Sequence, residues 1–142
     1  MAVNPALIKF WSAIHEFWYR MTGGLIGGRV GGRPFLLLTT TGRKSGRPRT
    51  TPLLYLRDGE DLVVVASFGG NDRHPAWWLN LERNPEAEVQ VGNEKKRVRA
   101  EKAKAEERSR LWPLLVDLYA NYDQYQKGTR REIPVVVLRP QG

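Results

Sequence analysis

The stretch that decides the fold runs from Thr40 to Pro52 and reads TTGRKSGRPRTTP. An apolar run at 35–38 leads into it, and a second apolar run at 53–56 leads out of it. Each run has the length of a β-strand, and glycine and proline between two such runs are typical of a turn. The pattern therefore predicts a β-hairpin, with its strands at 35–41 and 50–57.

The turn of this hairpin is strongly cationic, because it contains Arg43, Lys44, Arg47 and Arg49. Glycine lets the backbone approach a ligand closely, and successive free N–H groups form a concave site for anions. The arginine guanidinium adds a rigid fork that matches phosphate and carboxylate groups. We interpret the turn as an anion-binding site, with a solvated hairpin tip as the alternative. It is not a Walker loop, because no lysine follows the second glycine.

The composition indicates one domain and an anionic partner. A chain of 142 residues suits one domain with a hydrophobic core, and its net charge of +8 favours an anionic ligand or surface. Charge alone does not choose among nucleic acid, an acidic lipid surface and a polyanionic small molecule. The absence of cysteine excludes disulfides, thiolate ligands and a cysteine nucleophile, and no histidine has metal-ligand spacing, so we expect no metal site.

Residues 1–33 are predicted to be a separate unit, followed by a folded domain over 34–142. Asn4-Pro5 is a good helix start, and apolar residues including Trp11 and Trp18 follow at helical spacing. Such a helix either packs on its own domain or lies in a membrane interface. The glycine-rich sequence that follows predicts a mobile linker or a loop that covers a ligand. No apolar run is long enough to span a membrane, and the start does not resemble a secretory signal.

The rest of the chain predicts short strands with few helices between them. The unbroken apolar run at 62–66 indicates a strand that is buried on both faces. Further elements are predicted as a helix at 76–82, strands at 88–91, 96–99 and 133–138, and a helix from 104 to about 125 that kinks or breaks at Pro113. This order predicts an α+β fold: one mostly antiparallel, barrel-like sheet of about six strands, with an N-terminal helix and two further helical segments.

The candidate site contains binding groups and lacks an obvious catalytic couple. It combines the cationic turn with a glycine loop after Ser67, the Trp77-Trp78 pair and three tyrosines. The tyrosines, Tyr119, Tyr122 and Tyr125, step by three and would lie along one side of a helix, either as flat walls for an aromatic ligand or as half-buried packing residues. A polyanion site beside aromatic side chains indicates a protein whose bound cofactor does the chemistry.

These motifs, taken in order, resemble the deazaflavin-dependent nitroreductase family of actinobacterial, split β-barrel flavin/deazaflavin oxidoreductases. The matching segments are TTTGRKSG at 39–46, Pro52-Leu53, Ala66-Ser67 with Gly69-Gly70, PAWWLNL at 75–81, Asn84-Pro85, the three tyrosines, and IPVVV at 133–137. The resemblance implies a split β-barrel that binds coenzyme F-420 (8-hydroxy-5-deazaflavin). This coenzyme carries a flat ring, a ribityl arm, a phosphodiester and an oligoglutamate tail.

The resemblance also assigns roles to individual residues. Arg43, Lys44 and Arg49 would hold the phosphate and tail, and the remaining cofactor-binding residues would be Thr51, Pro52, Ala66, Ser67, Phe68, Gly69, Trp77 and Asn80. Tyr119, Tyr122 and Tyr125 would wall the substrate pocket, and the Ser67 hydroxyl would bind an acceptor oxygen as part of the catalytic set. Two positions depart from the family pattern: Phe68 stands in place of a lysine, and Thr51 stands in place of an asparagine.

The function that this resemblance implies is hydride transfer from reduced F-420 to quinones such as menaquinone, with nitroaromatic compounds as adventitious substrates. We expect a cytoplasmic enzyme without a nucleic-acid partner, with peripheral membrane contact through the N-terminal helix as an open question, like the oligomeric state. The alternatives are an FMN-binding or haem-related split-barrel protein and a non-catalytic basic module for an acidic membrane or nucleic acid. FMN has one phosphate and no acidic tail, so it would not require four clustered cations.

Overall fold

The computed structural model describes residues 29–30 and 33–141, with side chains from Pro34 onward. Its strands are β1 Arg29–Val30, β2 Arg33–Thr41, β3 Pro48–Leu54, β4 Leu56–Asp58, β5 Asp61–Val65, β6 Glu86–Val91, β7 Glu94–Lys102 and β8 Val135–Pro140. Its helices are α1 Ala76–Arg83, α2 Ala105–Leu118 and α3 Asn121–Lys127, with a short 3-10 turn at Phe68–Gly70. The fold is therefore α+β, as predicted.

All eight strands belong to one antiparallel sheet. From one end to the other its order is β3, β2, β6, β7, β8, β5 and β4, and the short β1 pairs with the start of β2. The predicted hairpin is confirmed, because β2 pairs with β3 from Phe35 opposite Leu54 to Thr41 opposite Pro48. β3 also contacts β5, which lies near the other end of the sheet, so the sheet curls into a barrel.

β5 separates two hydrophobic cores. Leu62 and Val64 point into the barrel interior, where they pack with Trp77 and Trp78 of α1. Val63 and Val65 point outward and pack with residues of α2 and α3. The predicted burial of this strand on both faces is thus confirmed, and it explains why the apolar run shows no alternation.

The strand count differs from the prediction of about six. The predicted strand at 50–57 is divided at Tyr55 into β3, which pairs with β2, and β4, which pairs with β5. The two-residue β1 adds another strand that is too short to give a sequence pattern. The last strand begins at Val135, two residues later than predicted.

The predicted helix over 104–125 forms two helices, so the described part of the chain has three helices in place of the two expected. The predicted break into two helices occurs, but it lies at Tyr119, whose backbone is extended, and not at Pro113. Pro113 lies inside α2 on its exposed side. The carbonyl that loses its helical partner there belongs to Ser109, an exposed residue, and this lowers the cost of a proline inside a helix.

The predicted N-terminal helix lies outside the described residues. β1 and β2 begin at Arg29 and Arg33, so the boundary predicted between 33 and 34 falls inside the β1–β2 hairpin. No helix in the described ranges is long and apolar enough to cross a membrane.

Candidate active site

A cavity of about 590 Å³ opens at the mouth of the barrel, beside the β2–β3 turn. Its walls come from that turn, from β3, from the end of β5 and from the start of α1. The lining residues are Gly42, Arg43, Lys44, Ser45, Arg49, Thr50, Thr51, Pro52, Leu53, Val65, Ser67, Phe68, Gly69, Pro75, Ala76, Trp77 and Asn80. This volume is within the range that small-molecule and cofactor sites occupy.

The β2–β3 turn is held by its own hydrogen bonds. The Gly42 N–H donates to the carbonyl of Arg47 at 2.8 Å, and the Gly46 N–H donates to the carbonyl of Gly42 at 2.8 Å. Gly46 has a φ of +71°, which favours glycine, and a Cβ on Gly42 would lie only 2.8 Å from the Ser45 hydroxyl. The glycines therefore permit a tight loop that raises its cationic side chains into solvent.

Three of the four cations in this turn line the cavity: Arg43, Lys44 and Arg49. Arg47 is exposed but is not among the lining residues. Within the part of the chain that the structure describes, the ion pairs involve other residues, so none of these four charges is neutralised by a described carboxylate. The cavity consequently has one strongly positive end.

Asn80 connects α1 to the cationic turn. Its Oδ1 accepts hydrogen bonds from the Arg43 backbone N–H at 3.0 Å and from Arg43 Nη1 at 3.4 Å. Its Nδ2 donates to Thr40 Oγ1 at 3.0 Å, and both Asn80 and Thr40 are buried. Asn80, which the resemblance assigns to the cofactor, lies at the cavity, and its polar atoms hold Arg43 and Thr40.

The other end of the cavity is mainly apolar. Pro52, Leu53, Val65 and Trp77 line it, together with the half-buried Phe68. Ser67 and Gly69 are brought to the same wall, and Thr51 lies beside Pro52. Ala66 is different from the other predicted cofactor-binding residues: it is fully buried in the barrel core and is not among the lining residues.

The three tyrosines form a cluster that is not part of the cavity lining. Because the helix breaks between them, Tyr119 caps α2, whereas Tyr122 and Tyr125 belong to α3. The Tyr119 ring packs edge-on against the rings of Tyr122 and Tyr125, with distances between ring centroids of 5.1 Å and 6.1 Å. The Tyr119 and Tyr125 hydroxyl oxygens are 3.1 Å apart. Tyr122 is buried in the outer core, and the assignment of Tyr119, Tyr122 and Tyr125 to a substrate wall stays a prediction.

Burial also changes the acidity of these hydroxyls. Desolvation raises the pKa of Tyr122 above its ordinary value, and it raises the pKa of Tyr125 to about 12 with help from the Tyr119 hydrogen bond. Both side chains therefore hold their protons at neutral pH, which makes them hydrogen-bond donors and poor acids.

Sequence reasoning missed Arg131, which supports the wall beside Ser67. Its guanidinium donates to the backbone carbonyls of Ala66, Ser67 and Asn71. One of many arginines in a basic chain gives no local signal of such a role. The partners lie 60 to 65 positions earlier, so no spacing rule connects them.

A family model and a curated relative both match this chain, and both are described as F420H(2)-dependent quinone reductases. A model of the family described as F420H(2)-dependent quinone reductase matches residues 11–140. The F420H(2)-dependent quinone reductase Rv1261c of Mycobacterium tuberculosis is 46% identical over 129 residues, covering 88% of this chain and 87% of that protein.

Two solved structures are also similar. The structure of F420-H2 Dependent Reductase (FDR-A) is 40% identical with a TM-score of 0.70, covering 75% of this chain and 95% of that chain. A structure described as a domain-swapped dimer is 37% identical with a TM-score of 0.72, covering 89% of this chain and 96% of that chain. The expected split-barrel fold is thereby confirmed. With the family model spanning nearly the whole sequence, the chain belongs to the F420H(2)-dependent quinone reductase family.

Proposed function

We propose that this protein is an oxidoreductase that binds reduced coenzyme F-420 in the barrel-mouth cavity and uses it to reduce quinones. The observation that carries the proposal is the division of that cavity into a cationic end and an apolar end. The coenzyme is divided in the same way, since it has a flat ring at one end and an acidic tail at the other.

The residues present fit the coenzyme at both ends. Arg43, Lys44 and Arg49 would hold the phosphodiester and the oligoglutamate tail through charge-assisted hydrogen bonds. Pro52 and Trp77 would flank the flat ring, and aromatic and apolar side chains suit such a ligand. FMN would use the apolar end equally well, but its single phosphate would leave most of the cationic end without a partner.

When bound, the reduced deazaflavin supplies a hydride to the acceptor. The protein's own contribution is orientation of the two molecules and exclusion of water. Ser67, which is largely buried and faces the cavity, would donate its hydroxyl proton in a hydrogen bond to an acceptor oxygen on which charge develops. Because Tyr122 and Tyr125 hold their protons tightly, solvent is the better source of the proton that completes reduction.

Two narrower parts of the proposal concern the acceptor and its location. The name of the relative Rv1261c specifies a quinone acceptor, and we extend this to menaquinone-like quinones, with nitroaromatic compounds as adventitious substrates. Because such quinones are membrane-dissolved, we also propose that a cytoplasmic protein of this kind makes peripheral contact with the membrane through residues 1–28.

The test is a titration of the purified protein with F-420, FMN and NADPH, followed by turnover with reduced F-420 and a soluble quinone such as menadione. We expect saturable binding of F-420, weaker binding of FMN and quinone-dependent oxidation of reduced F-420. A nitroaromatic acceptor, assayed in parallel, tests the narrower claim. Tighter binding of FMN than of F-420, or F-420 binding without quinone turnover, would overturn the proposed function.

A further inference from the structure

The wall of the cavity after Ser67 has an unusual backbone. Phe68 has a φ of +48°, and it is the one residue other than glycine with a positive φ among the described residues. Gly69 and Gly70 follow with φ values of +62° and +79°, so three consecutive residues take left-handed conformations. Glycine adopts this conformation freely, whereas a bulky residue such as phenylalanine is strained in it. Such strain persists only where the surrounding structure enforces it, and it concentrates at ligand sites.

Arg131 provides the enforcing contacts. Its Nη1 donates to the Ala66 carbonyl at 3.1 Å, and its Nη2 donates to the Ser67 carbonyl at 2.8 Å. Its Nε donates to the Asn71 carbonyl at 2.9 Å. These carbonyls lie on both sides of the left-handed residues, so one rigid guanidinium fixes the chain where it enters and where it leaves the strained segment.

His74 completes the surroundings of the guanidinium. Its Nδ1 lies 3.2 Å from Arg131 Nη1. Burial and the adjacent Arg131 charge lower the pKa of His74, which favours the neutral ring that accepts this hydrogen bond. The guanidinium of Arg131 stays charged, as arginine does in proteins, so it keeps all of its N–H donors.

Arg131 is itself held in place by a residue of helix α3. The Gln126 Nε2 donates to the Arg131 carbonyl at 2.8 Å, while its Oε1 accepts from the Ile133 N–H at 2.9 Å. Tyr125 of α3 also packs closely against Gly70, where an added Cβ would lie 2.9 Å from the tyrosine ring. The strained segment therefore has support from α3 as well as from Arg131.

We propose that Arg131 is a positioning residue and Phe68 a ligand-contacting residue of the cofactor site. By holding the left-handed segment, Arg131 presents the half-buried Phe68 ring at the cavity wall, where it packs against the flat ring of the ligand. This inference rests on the proposed function, because it takes the deazaflavin ring as the ligand. Its test therefore includes measurements on the protein without cofactor.

The first measurement is the melting temperature of Phe68→Gly and Phe68→Ala in the cofactor-free protein. At an ordinary position glycine is less stable than alanine, but at a left-handed position the order reverses. We expect Phe68→Gly to melt above Phe68→Ala. Leu114→Gly and Leu114→Ala, at an exposed position inside α2, serve as the control, and there the glycine variant should melt below the alanine variant. A glycine variant that melts at or below the alanine variant at position 68 would overturn the strain on which the inference depends.

The second measurement asks whether Arg131 acts through that segment. Lysine keeps the charge of arginine but cannot reach three carbonyls with one ammonium group. We expect Arg131→Lys to lower the melting temperature by less in the Phe68→Gly background than in the wild type. The reason is that glycine adopts the left-handed conformation without the contacts that Arg131 provides. Equal losses in the two backgrounds would show that Arg131 is only a general tie between loops and would overturn its positioning role.

The third measurement is the affinity for F-420. Arg131→Lys should weaken binding about tenfold in the wild type and by less than about twofold in Phe68→Ala, since the ring that it positions is then absent. Arg139→Lys is the matched control: Arg139 bonds to Asp61 and Glu101 outside the cavity, so its loss should lower the melting temperature without changing affinity. If the wild type does not bind F-420, the proposed function is refuted. If the wild type binds F-420, and Phe68→Ala and Arg131→Lys bind it as tightly as the wild type does, this inference is refuted.

Discussion

Asn80 is a buried amide on which the geometry of the cationic turn depends. It holds Arg43 through two hydrogen bonds and Thr40 through a third. Asn80→Ala would leave the buried Thr40 hydroxyl without this donor, and an unsatisfied buried polar group costs about 1–3 kcal/mol. We therefore expect a loss of unfolding free energy of this size in urea titrations, together with weaker F-420 binding. Asn93→Ala, at the exposed β6–β7 turn, should change neither quantity.

The outcome that would contradict this role is a loss of stability with unchanged F-420 affinity. Asn80 would then be a packing residue whose bond to Arg43 has no consequence for the ligand. The reverse result, weaker binding at unchanged stability, would instead place Asn80 in direct contact with the coenzyme, as the family resemblance implies.

The tyrosine cluster makes the stability of the fold depend on pH in the alkaline range. The pKa of Tyr125 is raised to about 12 in the folded protein, and that of Tyr122 is raised further, whereas an unfolded tyrosine titrates near 10. Between these values the folded state binds more protons than the unfolded state, so stability must fall as pH rises above about 10. Urea unfolding from pH 8 to 11 should show this fall, and Tyr125→Phe should make it shallower. A profile that is equally steep in the variant would mean that Tyr125 does not contribute.

Among the elements, the β2–β3 turn carries the functional charge. Arg43→Ala combined with Lys44→Ala should weaken F-420 binding by about a hundredfold or more, since each charge-assisted contact contributes roughly 1.5–3 kcal/mol. The fold should stay intact because both side chains are exposed. Arg47→Ala removes a cation of the same turn that does not line the cavity, so it should weaken binding far less.

A second ligand separates the two ends of the cavity in this experiment. An F-420 analogue without the oligoglutamate tail should lose less affinity from the double substitution than the full coenzyme does. Equal losses of affinity for the two ligands would place the turn away from the tail. If Arg47→Ala weakened binding as much as the double substitution does, the turn would act through its overall positive charge and not through specific contacts.

Helix α2 tolerates a proline that it does not need for packing. Pro113 is exposed, and at this position it removes one backbone hydrogen bond of the helix. Pro113→Ala should restore that bond, and the gain is reduced because alanine leaves the unfolded chain more freedom, so we expect stabilisation of about 1–2 kcal/mol. Leu114→Ala, beside it on the surface, should be close to neutral. A Pro113→Ala variant that is less stable than the wild type would show instead that the proline ring contributes to the stability of α2.

At the scale of the whole molecule, the parts that the sequence predicts are those that depend on local patterns. The hairpin around Gly42 and the doubly buried β5 follow from runs of apolar residues and turn chemistry within a few positions. Cavity features that were missed join distant positions: Asn80 bonds to Arg43 37 residues away, and Arg131 to Ser67 64 residues away. Distances of this kind are set by the curl of the sheet, which no spacing in the sequence encodes.

Backbone conformation was equally hard to predict. Phenylalanine disfavours a positive φ, so propensity alone argues against the conformation that Phe68 adopts. The break at Tyr119 was missed for a related reason, because Pro113 gives the stronger local signal for a helix end. In both cases tertiary contacts, which cannot be read from neighbouring residues, decide the outcome.

The distribution of charge over the molecule bears on where the enzyme works. The net charge is +8, yet Arg97 and Arg99 of β7 lie opposite Glu88 and Glu86 of β6 across the sheet. Four cations without a described carboxylate partner, Arg43, Lys44, Arg47 and Arg49, lie together in the β2–β3 turn beside the cavity. An acidic membrane surface would therefore attract this turn, and with it the mouth of the cavity in which we propose that the quinone is reduced.

The last prediction tests whether residues 1–28 provide the membrane contact. The described sheet begins at Arg29, so a chain of residues 29–142 should fold, melt near the full-length temperature and bind F-420. Full-length protein should bind vesicles that contain anionic lipid, and the shortened chain should bind them much more weakly. Trp11→Ala with Trp18→Ala in the full chain should reproduce that loss without a melting shift, because aromatic side chains of an interfacial helix insert at the headgroup level. A large fall in melting temperature for either variant, with vesicle binding unchanged, would show instead that the aromatic stripe packs on the barrel.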